Sequence, residues 1–204
     1  MSTYLGVDLL DQQTHNMRES IRHSFSRKGT LVGSGLGRRT WDDDVGQAIP
    51  ARSFTWLANG RSEIALLRAF LAARRGRFVP FWTPTFGAEI PLAAAASSGA
   101  STITIRFISY TRTMFQVLAR RYLAFTRPQG TFFIAKVTAS VDNGNGTETL
   151  NLSASLPEDV PVDRLVSYLA FCRLDSDDVP IRWQNPFLAE ADLAFRELPL
   201  EVPA

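Results

Sequence analysis

The sequence predicts a mainly β protein with one α-helix, arranged as a β domain interrupted by a small β-barrel module. Three observations lead there. Short runs of alternating apolar and polar residues recur along the chain. Only the stretch from Asn59 onward has strong helical periodicity. A hairpin signal, Asp142-Asn143-Gly144-Asn145-Gly146, falls among several evenly spaced strand-like runs, the pattern of a small barrel.

In order along the chain, residues 20–26 (SIRHSFS) alternate as a half-buried strand does, and residues 27–39 are rich in glycine and base. The latter read as a flexible connection or a long hairpin tip. An acidic turn follows at Asp42, Asp43 and Asp44, then a second alternating run at 51–57. The helix is expected over 61–75. Ile64, Leu67 and Leu71 fall on one stripe, widened by Leu66 and Phe70, and Gly60 and Glu63 stand at capping-box distance, with Asn59 and Ser62 as other starting caps. Arg74 and Arg75 suit the negative end of the helix dipole, and Gly76 suits a left-handed stop. Beyond it Phe78, Phe81, Trp82 and Phe86 alternate with Pro80 and Pro84, which forces an extended, stiff backbone.

The tract 91–102 (PLAAAASSGAST) has the composition of a linker or loose edge. Strands are expected at 102–108, 121–126, 131–140 and 147–152. A second linker is expected at 156–161, and longer strands at 165–174, 179–183 and 191–195. The last group is expected to return to the first half of the chain.

The composition excludes several functional classes. Twenty-two basic residues against twenty acidic ones leave a net charge of +2, too little for a general field around nucleic acid. The lone Cys172 precludes an intrachain disulfide or a cysteine-based zinc site, and it points to cytoplasmic production. The N-terminus lacks a secretory pattern and no apolar run is long enough to cross a bilayer, so a soluble protein with no membrane partner is expected. His15 and His23 are poorly spaced for a metal, and the Asp42–Asp44 cluster lacks the regular spacing of a calcium loop. Gly33, Gly35 and Gly37 imitate a dinucleotide fingerprint without its third glycine or its strand-to-helix context. No nucleophile elbow or phosphate loop occurs. Neither an enzyme nor a cofactor is expected.

The basic-aromatic residues Arg120, Arg121, Tyr122 and Phe125, with Arg127, are the candidate surface of the barrel, where rings beside cations grip single-stranded nucleic acid or glycan. The competing expectation is that Tyr122 and Phe125 belong to a strand and its core.

The stretch GRSEIALLRAFLAARRGRFVPFWTPTF resembles the helix and following aromatic-proline strand of distal tail and baseplate proteins of long-tailed bacteriophages. The stretch LAFCRLDSDDVPIRWQNPFLAEADLAFRELP is similar to their closing strands. The resemblance implies a β-sandwich belt domain with one helix (1–87, closed by 165–204) interrupted by a small OB-like β-barrel (88–164). It also implies a homo-oligomeric ring of about six copies at the virion's tail tip, contacting the tail tube protein, the baseplate hub and peripheral fibres. Under that reading Arg27, Lys28, Arg38 and Arg39 are expected to make charged contacts, and Phe81, Trp82 and Phe86 to dock. The alternative for Trp56 and Trp82 is burial in the subunit's own core.

Overall fold

The computed structural model describes residues 2–10, 21–26, 29–32, 40–43 and 48–203. Its strands are β1 (Ser2–Tyr4), β2 (Val7–Leu9), β3 (Arg22–Ser26), β4 (Gly29–Val32), β5 (Thr40–Asp43), β6 (Ile49–Asn59) and β7 (Phe81–Pro84). They continue as β8 (Thr102–Arg106), β9 (Tyr122–Thr126), β10 (Phe132–Asp142), β11 (Thr147–Leu152), β12 (Val166–Leu174), β13 (Ile181–Asn185) and β14 (Leu188–Glu197). One α-helix, α1 (Arg61–Arg74), separates β6 from β7. The chain divides into two compact units: Met1–Gln13, Phe81–Phe171 and Pro199–Ala204 form the first, and Thr14–Pro80 with Cys172–Leu198 the second.

In the first unit the strands follow the order β1-β2-β7-β12-β9-β10-β11-β8. The expected OB-like barrel is not formed, because the sheet is open. β9 uses both edges, pairing with β10 on one side and with Val166–Tyr168 of β12 on the other. The strands of 88–164 therefore extend a sheet built on β12 and β7 instead of rolling onto one another. The fold is mainly β with one substantial helix, and the sandwich-plus-barrel expectation is corrected to that. Ile103, Ile105, Leu123, Phe125, Leu150 and Tyr168 share the buried cluster of this unit. The two expected linkers are part of it. Leu92 bridges Ile105, Ala96 bridges Val160, and Leu92, Leu156 and Val160 are buried. Small residues at 93–100 allow that segment to lie close, which composition alone reads as looseness.

The hairpin at Asp142–Gly146 is where expected: Asp142 pairs with Glu148, and the Asn145 side chain accepts the Thr147 N–H at 3.2 Å. Glu148 itself is fully buried on β11. Its carboxylate accepts backbone N–H groups from Ile108 (3.1 Å), Tyr110 (2.9 Å) and Thr111 (2.8 Å). These groups open a five-residue π-helical turn, Tyr110–Met114, preceded by Ser109 at φ 59. Burial alone would raise the carboxyl pKa. The three backbone donors outweigh it and hold the group below the ordinary glutamate range.

In the second unit β3, β6, β14 and β13 form a fully antiparallel series, with Cys172–Leu174 also pairing with β14. β14 alternates buried and exposed positions, with Ala189, Ala191, Leu193 and Phe195 inward. β3 does not half-bury: all of Arg22–Ser26 is exposed. Asp42 and Asp43 lie in β5, paired with Thr30 and Gly29, and are not a turn. The strands β4 and β5 bear out a hairpin-like path for part of 27–39; the tip and Asp44 fall outside the described residues.

The helix packs on β6 and β14 through Ile64, Leu67 and Phe70. Leu66 is exposed and Leu71 half-buried, so the stripe is narrower than the sequence suggests. Glu63 reaches back to the N–H of Asn59 (2.8 Å), while the Gly60 N–H donates to the Phe187 carbonyl (2.6 Å). At the far end Arg75 takes the left-handed C-cap and Gly76 follows with φ 63. Arg74 does not point to solvent. It is buried, its Nη1 donates to the Pro80 carbonyl at 2.9 Å, and its guanidinium lies 5.0 Å from the Phe70 ring centroid.

Candidate functional site

The residues singled out for docking are placed inside. Phe81 and Trp82 on β7 have no exposed area, and Phe86 is buried with φ 56. Trp82 packs against Phe171 (4.9 Å), Tyr122 (5.2 Å) and Tyr4 (5.7 Å). β7 lies within the sheet, between β2 and β12, and all four of its residues are buried, against the expectation that its rings face a partner. In the described chain these three side chains are core, and Phe78, just before them, is the exposed ring of the tract.

The candidate barrel surface is corrected in the same way. Tyr122 and Phe125 are buried on β9, and the Tyr122 hydroxyl donates to the Pro203 carbonyl at 3.0 Å. The Arg120 guanidinium sits 5.2 Å from the Tyr168 ring, and Arg121 sits 4.3 Å from the Phe115 ring while its Nε donates to the Phe115 carbonyl. Both arginines are half-buried on the chain's own rings, so no row of free stacking rings faces solvent here. Arg27, Lys28, Arg38 and Arg39 lie outside the described residues, as does His15.

An open surface of a different kind lies in the second unit, along α1. A groove of about 400 Å³ is lined by Arg61, Ile64, Ala65 and Arg68 of the helix and by Trp183 and Pro186 opposite. It continues as a cleft of about 300 Å³ between Arg68 and Leu71 on one side and Ile181 on the other, reaching Asp177 and Asp178 beside Gly76. The helix covers β6 and β14 but leaves the strip formed by Ile181 and Trp183 of β13 beside it uncovered. Trp183 is 55% exposed and Phe187, at the β13–β14 turn, 58%. The Arg61 guanidinium stands 5.6 Å from the Phe187 ring. Asp177 closes the far end. It accepts the Arg77 N–H (2.8 Å) and pairs with the Arg77 guanidinium, hydrogen bonds that hold its carboxyl below the usual aspartate range.

Among the described residues the larger sheet of this unit ends in two outer strands: β3 pairs only with β6, and β13 only with β14. Phe25 on β3 is 72% exposed. Sequence reading did not single out Trp183, Phe187 or Phe25. No local pattern marks them: Phe25 belongs to the alternating run 20–26, Trp183 ends the run 179–183, and Phe187 lies in the turn between β13 and β14.

Among the described residues no group of three or more His, Cys, Asp or Glu side chains gathers as a metal site would require. No helix in them is long and apolar enough to cross a membrane. No protein-family model matches the chain, and no curated protein matches it in sequence.

Proposed function

We propose that this chain is a structural subunit of the tail tip of a long-tailed bacteriophage, building a ring of about six copies between the tail tube and the hub. In this reading it has no catalytic role, resides in the virion, and touches tube protein, hub protein and peripheral fibres. The observation that carries the reading is the polarity of the second unit's sheet. β3 and β14 run one way, β6 and β13 the other, because every pairing in the series is antiparallel. The two outer strands are therefore opposite in direction. Joining β13 of one copy to β3 of the next continues the alternation, using unlike faces as a head-to-tail ring requires. Each is five residues long, and each carries an exposed ring, Trp183 or Phe25. Unpaired edges of this kind are ordinarily blunted or covered.

Oxidative cross-linking tests this. Both Ser24 and Gln184 are exposed on their strands. The double variant Ser24→Cys/Gln184→Cys should give a ladder of covalent multimers that stops at the ring number, and neither single variant should. Light scattering on the unmodified chain, alone and with tube or hub protein added, gives the mass independently. A monomer under all these conditions would remove the ring reading.

A further inference from the structure

We propose that the groove between α1 and β13 is the docking site for an acidic α-helix of another protein. The inference concerns the face of β13, not its backbone edge, and does not require the ring. A helix lying on a sheet covers only part of its face, and the empty strip alongside is where a second helix packs, at an axis separation of about 8–10 Å. Here that strip has an apolar floor in Ile181 and Trp183 and runs beside a 14-residue helix, a length of about 21 Å.

The wall facing the strip carries Arg61 and Arg68, seven residues apart, with exposed Ala65 between them and half-buried Leu71 beyond. The small Ala65 allows a partner helix to approach closely at that point. The arginines then meet carboxylates that recur at the same seven-residue interval, about 10.5 Å. Among the described residues neither arginine is ion-paired. Trp and Arg are also the side chains on which interface energy concentrates.

The charge at the other end sets the direction. Asp178 lines the groove near Gly76 and favours the positive N-terminal end of a helix dipole, whereas the charge of Asp177 is already taken up by Arg77. The partner therefore runs antiparallel to α1, starting beside Asp178 and ending near Arg61, with its carboxylates in the half facing the arginines. Asp178 also repels a polyanion at that end, which disfavours a nucleic-acid strand along this path.

The test uses the full chain and a labelled 21-residue helical peptide of alanine and leucine with glutamate at every seventh position, read by fluorescence anisotropy at low salt. Binding is expected to weaken about tenfold or more, roughly 1.4 kcal/mol per decade, in Arg61→Glu/Arg68→Glu and in Trp183→Ala. A lysine-for-glutamate peptide should recover binding to the double arginine variant, a rescue that misfolding cannot produce. Circular dichroism confirms that each variant is folded. The proposal is overturned by no binding to the natively folded chain. Equal binding of a peptide of the same composition with its glutamates clustered, or tighter binding of a thymidine oligonucleotide, also overturns it.

Discussion

The Glu148 carboxylate lies 2.9 Å from the backbone N–H of Tyr110, across 38 residues of sequence, and the same group holds two neighbouring N–H groups. One buried side chain thus fixes the start of the π-helical turn. Glu148→Ala should destabilise the chain by about 3 kcal/mol in urea unfolding, because three donors lose a charged acceptor in a dry site. Glu148→Gln should cost less, since one amide oxygen still accepts.

The same group gives a pH dependence with a defined sign. Its carboxyl is depressed in the folded state, so its contribution is complete above the ordinary glutamate value near 4.5. It is lost as pH falls through the depressed folded value. Thermal unfolding followed between pH 6 and pH 3 should show a fall that is shallower in Glu148→Gln.

Arg74→Leu keeps much of the buried volume but leaves the Pro80 carbonyl without its guanidinium donor. We expect a loss of about 1–3 kcal/mol, measured by denaturant unfolding. Arg75→Leu, one position on at an exposed site, should change stability within about 0.5 kcal/mol.

Gly76→Ala should be harmful for two reasons. The backbone there is left-handed, and an added Cβ would meet the Asp177 carboxylate. A loss of about 1–2 kcal/mol is expected in thermal melts. A double-mutant cycle with Asp177→Ala separates the clash from the backbone part, because the single Asp177→Ala variant measures the loss of the Arg77 hydrogen bonds by itself.

Surface and core aromatics should separate cleanly. Trp82→Ala opens a cavity in the first unit and should cost about 3–5 kcal/mol of stability. Phe25→Glu lies on an exposed strand. It should leave the melting temperature nearly unchanged and, if the proposed ring forms through this edge, lower the mass seen by light scattering.

Much of the fold was legible where periodicity and turn chemistry agree. The Ile64, Leu67 and Phe70 stripe and the Asp142–Gly146 tip are both visible in the sequence because their causes are local. Strand surroundings were not. Tyr122 and Phe125 beside Arg120 and Arg121 look like a binding surface until β12 is seen to cover the second edge of β9. Phe81 and Trp82 look like docking rings until β7 is found between β2 and β12. Glu148 was illegible for a related reason: its partners, Ile108 to Thr111, are set by long-range register and not by spacing. The groove escaped notice because Arg61 and Trp183 are brought together only when β13 pairs with β14.

The chain passes between its two compact units at four places, after Gln13, Pro80, Phe171 and Leu198. No single cut therefore yields either unit as one continuous piece, and β12 itself is divided between them. A gene of this design cannot swap one half for a foreign equivalent by a lone recombination event. The sites that tolerate change one at a time are exposed positions and a hairpin end such as Asn143–Asn145.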